Sequence, residues 1–173
     1  MIEYPEYSTQ TLYLQELCNK YGDFKVAYAF KNSEGDMIWS KHKSVMQLWQ
    51  EENWWMLSKV NNRTILPNEI ILDIDDDTER KRLNKLKKIN TFLEFSGVYH
   101  KMYFTGSKGY HVHILLNKEL TPDERKFYTK KFKVDELKIS TRVMIALEFA
   151  PHWKTGRQKT EITNKLFRGK DEQ

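Results

Sequence analysis

Two hydrophobic periods alternate along the chain. Over residues 9–20 the apolar Leu14, Leu17 and Cys18 share one face of a predicted helix, with Ser8 as its N-cap and Gly22 just past its end. FKVAYAF (24–30) changes to a period of two, NSEGD turns, and MIWSKH (37–42) returns, which predicts a hairpin. Val45, Leu48, Trp49, Trp54, Trp55 and Leu57 restore helical spacing over 44–60, and Trp49 and Trp54 are expected in the core. EIILDID (69–75) reads as a strand. Residues 76–95 read as a long helix with Leu83, Leu86 and Leu93 on one face, acids at its start complementing the helix dipole, and the basic cluster Arg80–Lys88 on the solvated side. KMYFTGSKGYHVHILL (101–116) predicts two strands around a glycine turn, and TPDERKFYTKKF (121–132) a helix with Thr121 as N-cap and Pro122 at its first position. A further helix is expected over 138–149, then a KTGR turn and a last strand, KTEI. No repeat, linker or low-complexity segment interrupts this α+β pattern.

The 173 residues are 39% hydrophobic and 13% aromatic, enough for one compact domain with a core. No apolar run approaches the roughly 18 residues that span a bilayer, and MIEYPEYSTQ lacks the basic and apolar stretches of a secretory signal. A cytoplasmic or nucleoid-associated protein is expected, with no membrane partner. The single cysteine, Cys18, excludes an internal disulfide and a multi-cysteine zinc site, and is expected as a small buried hydrophobe. A net charge of +5 permits a polyanionic partner without deciding for one.

The chemistry concentrates on two strands. In EIILDID, Ile70, Leu72 and Ile74 share one face and Asp73 and Asp75 the other; in HVHILL, Val112, Ile114 and Leu116 oppose His111 and His113. Carboxylates clustered on a sheet repel unless a cation neutralises them, so a hard metal ion is the economical explanation. A calcium-binding loop starting at Asp73 fails, because its sixth position is Thr78 rather than glycine and its twelfth Asn84 rather than glutamate. Asp76 and Asp77 are expected only to end the strand and cap the helix. Thr105-Gly106-Ser107-Lys108-Gly109 is not a Walker loop, but its hydroxyls, amides and ammonium suit phosphate, and with His111 on the acids' face it becomes a candidate triphosphate site.

These residues resemble the archaeal-eukaryotic primase superfamily. LDIDDD (72–77) is similar to the family's hydrophobic-D-x-D strand. FTGSKGYHVHI (104–114) resembles its SGxxGxH turn and strand, particularly the form in polymerase domains of bacterial end-joining ligases. PHWKTGR (151–157) resembles the SxHxKTGR segment of primase small subunits. The three occur in family order. The resemblance implies an RRM-like primase catalytic sheet with helices on one face, spanning 66–163, and an N-terminal α/β extension, 1–62, in one catalytic domain over 1–173. It implies template-directed nucleotidyl transfer, as a DNA primase or primase-polymerase, with two Mg²⁺ or Mn²⁺ ions held by Asp73, Asp75 and Asp135. Thr105, Ser107, Lys108, His111, His152 and Lys154 would bind the incoming triphosphate. The implied partners are single-stranded DNA template, nucleoside triphosphates, and a primase large subunit or another replication or repair protein.

The sequence departs from the family at three points. Asp135 matches by spacing, and Glu148 is the alternative third acid; Ala146 stands where family members carry a basic residue; and one cysteine cannot supply the usual structural zinc. Two rival functions remain. His111-Val112-His113 with Tyr128 and Lys131 also resembles the HUH nicking enzymes, which bind a metal through two histidines and attack DNA with a helical tyrosine. An inactive nucleic-acid-binding module is the other. His42 and His100 are expected to be surface or internally satisfied histidines.

Overall fold

The computed structural model describes residues 8–163. In chain order the elements are α1 (Thr9–Tyr21), β1 (Lys25–Ala27), β2 (Ala29–Lys31), β3 (Met37–Trp39), β4 (Lys43–Ser44), α2 (Val45–Gln50), α3 (Trp54–Leu57), β5 (Asn62–Thr64) and β6 (Glu69–Ile74). They continue with α4 (Glu79–Phe95), β7 (His100–Phe104), β8 (Tyr110–Leu115), α5 (Pro122–Phe132), a 3₁₀ turn (Glu136–Ile139), β9 (Met144–Ala146) and β10 (Thr160–Ile162). The strands form one sheet ordered β4-β1-β5-β9, a second ordered β10-β7-β8-β6, and a separate ribbon, β2-β3.

Alternation builds the second sheet. Ile70, Leu72, Ile74, Val112 and Ile114 all face the side covered by Leu86, Ile89 and Leu93 of α4, and each is essentially inaccessible to solvent. Burying an aliphatic side chain of that size contributes roughly 1.5–3 kcal/mol, so this face holds the helix layer in place. Thr121 and Glu124 cap α5 reciprocally, each side chain serving the other's backbone amide. The expected helices on one face of an antiparallel sheet are present.

Several local expectations are corrected. Residues 138–149 are not a helix: Val143, Ile145 and Leu147 alternate, and β9 pairs with β5 in the register Asn62↔Ala146. FKVAYAF is not one strand, because the Asn61 side chain takes both backbone groups of Ala29 (2.8 and 2.7 Å) and diverts the chain from the sheet into the ribbon. The long helix starts at Glu79 rather than residue 76, with Thr78 as its N-cap. Within its basic cluster Arg82 is buried, reaching Glu79 and the Asp76 carbonyl, while most of its neighbours are solvated as expected. Trp49 packs half-buried against the first core, and Trp54 lies half-buried beside it. Cys18 is buried, and His100 is satisfied by Val98 and Asn90.

The two sheets meet over buried charge. Arg63 of β5 donates bidentately to Glu69 of β6 (2.7 and 2.7 Å) and to Glu148 (2.9 and 2.7 Å). His113 of β8 touches Glu69 at 2.8 Å, and Lys159 reaches His113 at 2.9 Å and the Ala146 carbonyl at 2.8 Å. Burial and Lys159 together push His113 down to about 4, so it is neutral near pH 7. For Glu69 and Glu148 burial acts upward, but Arg63 more than offsets it and both stay ionised.

Candidate active site

A cleft of about 290 Å³ opens on the polar face of the second sheet, and the motif residues converge there. Strand pairing brings the first two together: Asp73 on β6 lies directly opposite His111 on β8. His111 Nε2 lies 3.6 Å from Asp73 Oδ1, and its buried Nδ1 has no hydrogen-bond partner among the described residues. Asp75, one residue past the end of β6, is half-exposed, with Lys108 Nζ 3.4 Å from its Oδ1.

Two turns form the opposite wall. Thr105 shapes the first, donating to the Gly109 carbonyl at 3.0 Å and accepting from the Ser107 amide at 3.4 Å. Gly106 adopts φ +85°, and a Cβ there would fall 2.4 Å from the Arg157 carbonyl oxygen. Glycine is therefore required twice, by conformation and by the close approach of the HWKTGR segment. That segment closes on itself through His152 N to Arg157 O and Gly156 N to His152 O, both 2.8 Å, and Thr155 Oγ1 donates to the Gly106 carbonyl. Thr105, Ser107, Lys108, His111 and His152 all line the cleft with the two acids. Lys154 does not; it is exposed, and its amide donates to His152 Nδ1 at 3.2 Å.

The electrostatics are those of crowded carboxylates. Burial pushes the Asp73 carboxyl above its usual range; Lys138 opposes this, and Asp75 and Asp135 add to it. Asp135 itself is exposed and does not line the cleft; it caps the 3₁₀ turn by accepting from the Leu137 amide at 2.9 Å. Burial, then the positive charge of Lys159, drives His111 well below its usual value, so its ring is neutral. Hydroxyls, an ammonium and a neutral imidazole thus face a carboxylate set, an arrangement suited to a polyphosphate carrying divalent cations.

Sequence reasoning missed Lys138, whose Nζ lies 3.9 Å from Asp73 Oδ2. Its signal was proximity to Asp135, hidden by the helix expected there. Trp39, Met37 and Trp153, which give the cleft its apolar walls, were also missed. Glu148 lies outside this cleft, bound to Arg63 at the sheet junction. Glu69, His113 and Glu148 do present three donor atoms within 4.8 Å of one another, but Arg63 and Lys159 already neutralise that group. Tyr128 packs with the apolar core on the helix-covered face, on the far side of the sheet from His111 and His113. No described helix is long and apolar enough to cross a membrane.

No family model and no curated protein matches this chain. Solved structures do. It is similar to the polymerase domain of Mycobacterium tuberculosis Ligase D in complex with DNA, with a TM-score of 0.61 and 11% identity over 89% of this chain and 78% of that one. It is similar also to the AEP domain of the cyanophage S-2L primase-polymerase, at TM-score 0.56 and 13% identity over 92% and 91%. A third is primase RepB', at TM-score 0.55 and 10% identity over 89% of this chain and 56% of that one. At these identities the likeness is one of fold, and that fold, implied by three short motifs, is the one found in archaeal-eukaryotic primase-polymerase domains.

Proposed function

We propose that this protein performs template-directed nucleotidyl transfer, as a DNA primase or primase-polymerase acting on nucleoside triphosphates along single-stranded DNA. The observation that carries this reading is the convergence of Asp73, Asp75, Thr105, Ser107, Lys108 and His111, joined by His152, on one cleft. Acids at one wall and phosphate-binding groups at the other match the two ends of a triphosphate undergoing attack at its α-phosphorus.

The chemistry of the donor set suits two Mg²⁺ or Mn²⁺ ions held by Asp73, Asp75 and, from outside the cleft lining, Asp135: all three offer hard carboxylate oxygens, and Asp73 is raised by burial first and then by its like-charged neighbours. Bound there, the ions would supply Lewis acidity to the attacking hydroxyl and the leaving pyrophosphate. The chain's own groups position the substrate. Lys108 and the 105–109 turn hold phosphate oxygens, neutral His111 donates a hydrogen bond through whichever ring nitrogen carries its proton, and His152 approaches from the facing turn. Lys154 is assigned a lesser role at the phosphates' outer edge. A large subunit or another replication or repair protein completes the working assembly.

The test is extension with labelled ribo- and deoxynucleotides, with and without primer, in Mg²⁺ or Mn²⁺. Asp73→Ala, Asp75→Ala and Asp135→Ala should each abolish incorporation, Asp76→Ala should be mild because Asp76 is engaged by Lys85 at 2.8 Å, and Tyr128→Phe should stay near parental. Polymerisation by both Asp73 and Asp75 variants at the parental rate would sink the assignment. So would a covalent protein–DNA adduct lost in Tyr128→Phe, which is the mark of the nicking chemistry that the placement of Tyr128 argues against.

A further inference from the structure

The β2-β3 ribbon reaches the cleft by one face only, and the rest of it has no part in the function proposed above. Its side chains enter none of the buried apolar clusters, yet Tyr28, Phe30, Met37, Ile38 and Trp39 are each between 36% and 41% exposed. The ribbon is nonetheless well made: the Asn32 side chain accepts from the amides of Glu34 and Asp36 (3.0 and 2.8 Å), and Gly35 turns at φ +88°. The register Ala29↔Trp39 and Lys31↔Met37 puts Met37 and Trp39 on one face, where both wall the cleft. On the other face the Tyr28 and Phe30 rings stack, 5.4 Å apart at 15°.

At the ribbon's base the surface continues into a groove lined by Tyr28, Lys41, Lys43, Trp55 and Lys59. Trp55 is 59% exposed, and Lys59 Nζ sits 5.1 Å over its ring. None of Lys31, Lys41, Lys43 and Lys59 forms an ion pair among the described residues. Exposed aromatic rings interleaved with unpaired ammonium groups form a surface that needs a partner with flat apolar faces and regular negative charge. Single-stranded nucleic acid has both: its unpaired bases stack on rings and its phosphates pair with lysines. A duplex hides the faces such rings require.

We propose that the ribbon and the groove at its base hold the single-stranded template, Trp39 stacking the base nearest the cleft and Tyr28 and Trp55 stacking bases further out. The continuity of the surface favours this occupant over a protein, since Trp39 belongs both to the ribbon and to the wall of the cleft that holds the acids. Only the word template rests on the nucleotidyl-transfer reading; strand binding itself does not. The segment before β5 thereby acquires a function that none of the three motifs describes.

Fluorescence anisotropy of a labelled 20-nucleotide oligo-dT with the full chain in EDTA tests the surface apart from metal, nucleotide and catalysis. Trp39→Ala, and separately the Tyr28→Ala/Trp55→Ala pair, should each weaken binding by roughly five- to a hundredfold. Lys41→Gln/Lys43→Gln should flatten the salt dependence by about one unit of slope. Phe95→Ala, at a ring 93% exposed on α4, should change nothing. Circular dichroism identifies any variant that has lost its fold, and the two aromatic tests use separate substitutions, so that the loss of one leaves the other to be read. Unchanged oligonucleotide affinity in folded aromatic variants would overturn the proposal. So would a change in oligomeric state on sedimentation without a change in affinity, which would make the surface a protein interface. A parent chain that incorporates no nucleotide while these variants still lose oligonucleotide would refute the proposed function and leave this surface standing.

Discussion

Glu148→Gln separates a structural acid from a catalytic one. At the sheet junction Arg63 and Lys159 carry two positive charges, Glu69 and Glu148 two negative ones, and His113 is neutral, so the buried group balances. Glutamine keeps the volume and most of the geometry, and removes one charge. The remainder is a net +1 with essentially no solvent, since both Arg63 and Lys159 are at most 2% exposed. Breaking a buried pair in this way costs roughly 3–5 kcal/mol. For a chain of this size each 1 kcal/mol moves the melting temperature by about 2–4 °C, so a fall of roughly 6–20 °C is expected. Thermal unfolding at pH 7, followed by circular dichroism, reads it directly, and a urea midpoint with unchanged slope would confirm that stability alone has moved. Incorporation measured well below the new melting temperature should survive, because Glu148 lies outside the cleft. Parental melting together with abolished incorporation would refute the reasoning and make Glu148, rather than Asp135, the third metal-binding acid.

Gly106→Ala should lower triphosphate affinity as well as stability, because the left-handed backbone costs a non-glycine residue about 1–2 kcal/mol and the new Cβ would displace the HWKTGR segment. Gly97→Ala is the control: it shares a positive φ (+64°) but meets nothing within 4 Å, so nucleotide titrations that treat the two variants alike would count against the docking of the two turns. Acid should unfold the protein early. His113 and His111 are held below 6.5 in the folded state, so between pH 6.5 and about 4 the unfolded chain binds more protons and stability falls as pH drops. For His113 alone, 6.5 against about 4 corresponds to roughly 3 kcal/mol. Lys159, lowered to about 8 by burial, acts at the other end: stability should rise from pH 8 toward 10.5 as the unfolded chain gives up the proton that the folded one already lacks. A urea midpoint that is flat from pH 7 to 5 would show that His113 is not buried in its neutral form.

The second sheet was legible because its chemistry is periodic. Asp73, Asp75 and His111 interrupt apolar strands at every second position, so face and partner follow from spacing once the strands are recognised. The TGSKG and KTGR turns were legible through their glycines. What could not be read depends on contacts between segments distant in sequence. The Asn61 side chain that peels the ribbon away from β1 acts across 32 residues, and nothing local in FKVAYAF announces it. Residues 143–149 offered both periods, and only pairing with β5 decides for a strand. Arg63, Glu69, His113, Glu148 and Lys159 are scattered over about a hundred positions; Arg63, Glu69 and Lys159 each alone read as ordinary charges, and His113 and Glu148 as candidates for the site rather than as members of a buried junction. Lys138 was lost for the same reason, since its importance lies in a 3.9 Å approach to Asp73.

The pairing of Asp73 with His111 also has a consequence for how this sequence avoids misfolding. A strand slipped by a single residue turns every side chain to the opposite face. Were β6 to slip so against β8, Asp73 and Asp75 would enter the layer occupied by Leu86, Ile89 and Leu93, where an unpaired carboxylate is expensive. The neighbouring registers are thus penalised by the same acids proposed to hold the metal ions. Exchanging Asp73 and Asp75 for apolar residues would remove that penalty, leaving Glu69 as the one polar residue of β6 and neighbouring alignments closer in energy. The acids proposed to serve the chemistry of the cleft also tell the strand which alignment is right.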